Sequence, residues 1–166
     1  MSDEFNLLDT FAPVIVSPHF HVHTGDSYMV TRRASAVADA GTVEMLIQTG
    51  ADNLHIGGIL DGTGQARLQL FAETTVSSAG TAVSAHNKNQ ASAKITSAVF
   101  THTPTVTSDG TRILDRILAA AGSINFALAR NNTEIILAAN TNYLFRVTNN
   151  SGASANYNVH LDYYET

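Results

Sequence analysis

The strictest pattern of apolar and polar positions lies near the end of the chain, over residues 134–165. Tyr143, Phe145 and Val147 recur at every second position, with Arg146 and Thr148 on the opposite side. Tyr157, Val159, Leu161 and Tyr163 repeat the pattern, against Asn156, Asn158, His160 and Asp162. A period of two sustained over such runs predicts half-buried strands, because a helix would scatter the same apolar set around its circumference. Asn149-Asn150-Ser151-Gly152 separates the runs and tolerates positive φ. The two runs are therefore expected to fold back as a hairpin at the centre of an antiparallel sandwich.

Upstream the pattern is more broken. Residues 20–33 read as one or two strands interrupted at Gly25-Asp26, and the Ala-rich residues 34–40 as a helical turn or a loop ended by Gly41. Residues 43–48 and 54–60 read as strands, with Gly57-Gly58 marking a bulge or a close backbone approach. Asp61-Gly62-Thr63-Gly64 is a turn, and the alternation resumes over residues 67–76, so a second hairpin is expected there. Residues 77–109 are polar and repetitive in Ser, Thr, Ala and Asn. Some pairing at an edge is expected within them, with residues 85–92 an extended loop. Residues 111–118 and 124–129 follow as strands, broken at Gly122.

The sum is about eight to ten strands in an all-β, single-domain antiparallel β-sandwich of jelly-roll type. It spans residues 19–166, with a long polar loop at about 77–109. Residues 1–18 form an extended N-terminal arm in which Phe5, Leu7, Leu8, Phe11, Val14 and Ile15 are apolar while Pro13 and Pro18 interrupt any regular element. Such an arm either packs on its own domain or lies on a neighbouring subunit.

Composition narrows the partners. The formal net charge is −5, and Lys occurs only at Lys88 and Lys94. With no clustered cations there is no electrostatic footprint for nucleic acid. Zero Cys excludes disulfides and thiolate metal sites. The acidic start lacks the pattern of a secretory signal, and no apolar run approaches the roughly 20 residues of a membrane span. Few long cationic side chains and many small ones suit close subunit packing.

Three segments carry a family resemblance. The first is Leu70-Phe-Ala-Glu73-Thr-Thr-Val-Ser-Ser-Ala-Gly80-Thr. The second is Asn87-Lys-Asn89-Gln-Ala-Ser with Thr101-His102-Thr-Pro104-Thr-Val-Thr-Ser-Asp-Gly110-Thr. The third is Tyr143-Leu-Phe-Arg-Val-Thr-Asn-Asn-Ser-Gly-Ala with the closing Leu161-Asp-Tyr-Tyr-Glu165. Together the chain resembles the capsid decoration proteins (cement or head-stabilising proteins) of tailed bacteriophages. That resemblance implies a β-sandwich subunit, a homotrimer, and a place on the outer surface of the virion capsid. It implies the major capsid protein as partner and synthesis in the host cytoplasm. It implies no cofactor.

The candidate anchors for such a partner are Phe5, Leu7, Leu8 and Phe11 of the arm, then the loop at His86, Asn87, Lys88 and Asn89. A tail or fibre module contacting a host surface is the alternative, with Tyr163-Tyr164 and the long loop as its contact candidates. The sharpest local chemistry is His19, His21 and His23. On a strand these would share one face about 7 Å apart, as a metal site or as a cluster at a trimer axis. That pattern distantly resembles the His-x-His of cupins and supports a second alternative, a cupin-like metal enzyme. No nucleophile elbow or phosphate loop occurs, and the fourteen carboxylates are scattered, so the leading expectation is a protein without enzymatic activity.

Overall fold

A computed structural model describes residues 17–126 and 134–166. The chain opens with helix α1 (Ser17–Thr24), then β1 (Ser27–Val37), β2 (Thr42–Gln48), β3 (Leu54–Gly62) and β4 (Ala66–Ala72). Five short strands follow: β5 (Thr75–Ser78), β6 (Thr81–Val83), β7 (His86–Asn87), β8 (Val99–His102) and β9 (Thr105–Ser108). The described chain closes with β10 (Thr111–Leu118), β11 (Gly122–Phe126), β12 (Ile135–Leu137), β13 (Asn142–Asn149) and β14 (Ala155–Glu165).

Two antiparallel sheets pack face to face. One has the order β11-β3-β14-β1-β7, with β12 also on β3; the other has β10-β4-β13-β2-β8-β6. The two orders match rank by rank. Each of β1, β3, β11 and β14 holds the same place as its chain neighbour β2, β4, β10 or β13 in the facing sheet. The eight longer strands therefore have jelly-roll order, as expected. The excess over the expected number of strands comes from short segments of two to four residues.

This order corrects both expected hairpins. β13 pairs with β2 and β4, whereas β14 pairs with β1 and β3, so the two terminal runs are not paired as strands with each other. They lie at the centre of opposite sheets. Likewise β3 and β4, either side of Asp61-Gly62, belong to different sheets. Alternation reports which face is buried, and Asn/Gly residues report where the chain reverses. Neither distinguishes a partner beside the strand from one across the core.

The faces themselves are as the alternation predicts. Tyr143, Phe145, Val147, Tyr157, Val159, Leu161 and Tyr163 are all buried, and with Val30, Met45, Ile47, Ile56, Leu60, Leu68 and Leu70 they form the core. Gly62 pairs with Tyr157, and a Cβ there would lie 2.7 Å from the tyrosine ring, so glycine is what lets the ring lie flat on β3. Gly57-Gly58 shows no bulge: the register with β14 runs unbroken through both. Residues 34–37 are not a helical turn but the end of β1, with a register shift between Ala34 and Val37 and Ala36 at φ 54°.

The polar stretch 77–109 is more ordered than its composition suggests. β5 and β9 form a two-stranded ribbon, β8 adds to the edge of β2 and carries β6, and β7 pairs with β1. Residues 85–92 are thus not wholly a loop, since His86 and Asn87 pair with Met29 and Tyr28. The excursion covers the edges of both sheets at the same end of the strand order, which protects them from pairing with other chains.

Candidate functional site

The segment with His19, His21 and His23 is helical, which overturns the expected strand face. Pro18 falls in the first turn of α1, where a missing N–H costs nothing. Gly25 ends the helix at φ +80°, with Gly25 N–H on Val22 O at 3.2 Å and Asp26 N–H on His21 O at 2.9 Å. These are the two bonds of a Schellman cap. The break at Gly25-Asp26 was legible in the sequence; the element before it was not, because His-x-His-x-His fits period two as well as a helix read at every fourth position.

On a helix the three imidazoles split two and one. His19 and His23 lie one turn apart, with Nε2 atoms 3.0 Å from each other. His21 turns the other way and stacks on Tyr164, ring centroids 4.2 Å apart and 14° from parallel. His55 also stacks on Tyr164, at 4.5 Å and 16°. Glu134 ties this group together: its carboxylate accepts from Tyr164 Oη at 2.9 Å and lies 3.2 Å from His55 Nδ1. Burial pushes the His21 imidazole below its ordinary range, opposed by Asp26 and Glu134 and reinforced by His55. No group of three or more metal-ligating side chains converges among the described residues.

The loop from Asn87 to Ala98 is seated against the end of α1. Asn87 Nδ2 donates to Gly25 O at 2.7 Å and Lys94 O at 3.1 Å, and Asn89 Nδ2 donates to His23 O at 3.2 Å. Lys88 N–H donates to Ser27 O at 2.8 Å, and its ammonium pairs with Asp162 at 2.7 Å. Lys94 pairs with Asp26 at 2.7 Å and holds that carboxylate below its usual range. The far side of the loop is held by Glu165. One oxygen of Glu165 accepts from Thr96 Oγ1 (2.7 Å), Ser97 N (2.8 Å), Ser97 Oγ (3.0 Å) and Ala98 N (3.3 Å).

The structure thus brings together two of the three sequence-derived candidates. His86, Asn87, Lys88 and Asn89 lie beside the helix that carries His19, His21 and His23, while Phe5, Leu7, Leu8 and Phe11 lie outside the described residues. Around this junction, Phe20 is 48% exposed and Ile95 89% exposed. A depression of about 280 Å³ lies between Tyr28, His86, Asn89, Lys94 and Ile95. Sequence reasoning missed Tyr164, Glu134 and Glu165 as the residues that fasten the junction. The only signal was the Tyr163-Tyr164 pair, read as a possible host contact; both rings are buried, at 2% and 6% exposure.

A second depression, of about 290 Å³, lies at the opposite end between Arg33, Asp61, Ser123, Asn156 and Asn158. Its Asp61 carboxylate is already engaged by Ser123 and, at 3.4 Å, by Asn158. Among the described residues no helix is long and apolar enough to cross a membrane. Compared with models of known protein families the chain matches none, and comparison with curated proteins likewise finds no match.

Proposed function

We propose that the chain is a non-enzymatic structural protein of a phage virion, a capsid decoration protein that clamps the major capsid protein on the outer surface of the head. The observation that carries this reading is the junction just described. The helix at the root of the apolar arm and the loop at residues 87–98 are bonded to each other and to β14, so a partner gripped by one is gripped by both. A rigid root matters physically. An arm leaving a fixed point loses less entropy on docking than one leaving a flexible linker.

The jelly-roll body supports the same reading as a scaffold, although that fold serves many roles. Homotrimerisation belongs to the proposal, because three arms on one body would multiply a weak grip through effective concentration. The tail or fibre alternative keeps only the long loop as its contact, because Tyr163 and Tyr164 are occupied in packing. The cupin-like alternative relied on three imidazoles sharing a strand face, and α1 turns His21 away from the other two.

The test is co-sedimentation of the purified chain with capsids of its phage assembled without it. Full-length chain is expected to pellet with the capsids, and a chain lacking residues 2–16 is expected to stay folded, keep its oligomeric state by light scattering, and remain in the supernatant. Failure of the full-length chain to pellet, or pelleting of the truncated chain at full affinity, overturns the reading.

A further inference from the structure

We propose that His19 and His23 form a two-imidazole chelate for a divalent transition-metal ion that takes ligands at right angles, Ni²⁺ or Cu²⁺ in class. Positions four apart on a helix stand one above the other on the same face. Here the two Nε2 atoms are 3.0 Å apart and the rings are 89° from coplanar. Two nitrogens each bound to one ion at about 2.1 Å lie roughly 3.0 Å apart at a right angle, and roughly 3.4 Å apart at the tetrahedral angle. At 3.0 Å the two nitrogens are at hydrogen-bond distance, close enough for either arrangement once the rings turn, and the intrinsic preference of imidazole for Cu²⁺ favours the tetragonal ions. A modest rotation of the two rings turns both lone pairs onto one ion.

The helix is held ready for this. α1 is only eight residues long and would be marginal alone. Its last turn is pinned by the Schellman cap, by Thr24 Oγ1 on Phe20 O at 3.2 Å, and by Asn89 on His23 O. Both imidazoles are exposed, so water can fill the remaining positions. His21 is excluded from the site because its ring is engaged with Tyr164. A bound ion would staple one turn of the helix to the next and so stiffen the root of the arm. The inference does not depend on the capsid reading, since it concerns the purified chain alone.

The test is calorimetric titration of the untagged full chain with Ni²⁺ and Cu²⁺, at about pH 7.5 in a non-coordinating buffer. One ion per chain is expected to bind. His19→Ala and His23→Ala are each expected to weaken binding on the order of a hundredfold, because a chelate becomes a single imidazole. Circular dichroism establishes that both variants remain folded. Copper should also broaden the imidazole NMR signals of His19 and His23 before those of His86, His102 and His160. Absence of a one-to-one event with either ion, binding that survives either substitution, or tighter binding of Zn²⁺ than of Ni²⁺ overturns the proposal.

Discussion

Arg146 shows how a single side chain on an outer sheet face organises its surroundings. Its Nε donates to Glu44 at 2.6 Å, and its two terminal nitrogens grip Asp109 at 2.6 and 2.7 Å. The guanidinium sits 5.3 Å over the ring of Phe71. Asp109 lies just after β9, so this fork fastens the returning end of the ribbon onto the body. Arg146→Met would leave two carboxylates facing each other without a cation. The expected cost is about 2 kcal/mol, read as a lower urea midpoint with unchanged slope. The pH dependence follows from Asp109, whose carboxyl Arg146 holds below its usual range. A depressed carboxyl contributes stability above its unfolded pKa, and that contribution is lost as pH falls through its folded pKa. The gap between wild type and Arg146→Met should therefore be full at neutral pH and narrow progressively below about pH 4.

Gly25 makes a second test at the same scale. Alanine there meets a positive φ and also a neighbour, since its Cβ would lie within 2.7 Å of Ser92 Cβ. The backbone cost alone is about 1–2 kcal/mol. Gly25→Ala with Ser92→Gly should recover the steric part and leave the backbone part, so the double variant is expected to fall between Gly25→Ala and wild type in thermal unfolding. A double variant no better than Gly25→Ala would mean that the loop does not rest on the helix end.

At the scale of elements, legibility tracked length. Strands of seven residues or more with one apolar face, such as β13 and β14, showed themselves through period two. The short β6 and β7, of three and two residues, could not, because so few positions carry no period. α1 was hidden by its histidines, which alternate with Phe20 and Val22 as a strand would. The junction was also hidden because its chemistry is polar and long-range: Glu165 meets Ser97 across 68 positions of sequence. Glu165→Gln tests that element directly. It removes the charge from four charge-assisted bonds, and is expected to raise amide exchange across residues 88–98 and α1 by about 1–2 kcal/mol in local opening, with a smaller change in global stability. Equal changes in both would show that the loop unfolds only with the body.

At the scale of the whole molecule, the fold is a set of arches between two sheets, and three of them meet at Asn149. This side chain is fully buried. Its Nδ2 donates to Val37 O (2.8 Å), Ala38 O (3.1 Å) and Ala153 O (2.8 Å), and its Oδ1 accepts from Ser151 N (3.0 Å) and Tyr157 Oη (2.8 Å). Val37 and Ala38 lead from β1 to β2; Ser151 and Ala153 lead from β13 to β14. The third arch, from β3 to β4, joins through Gln65 O, which shares the single Tyr157 Oη proton with Asn149 Oδ1 at 2.8 Å and accepts from Asn150 N at 3.0 Å. The sequence marked Asn149 as a turn residue, whereas it is the last residue of β13, paired with Ala66, and its side chain reaches into the turns around it. Asn149→Ala removes the donors and acceptor together, and should cost about 2–4 kcal/mol through the backbone groups it strands. Asn149→Asp keeps the shape but turns a donor into an acceptor, aiming a carboxylate at three carbonyl oxygens. It should cost more than alanine at neutral pH. The penalty should ease on acidification, because protonation restores one donor and removes the charge. Denaturant unfolding of the two variants across pH checks the order. If aspartate proves milder than alanine, the amide is not what closes this end of the sandwich, and the arches are held by the core alone.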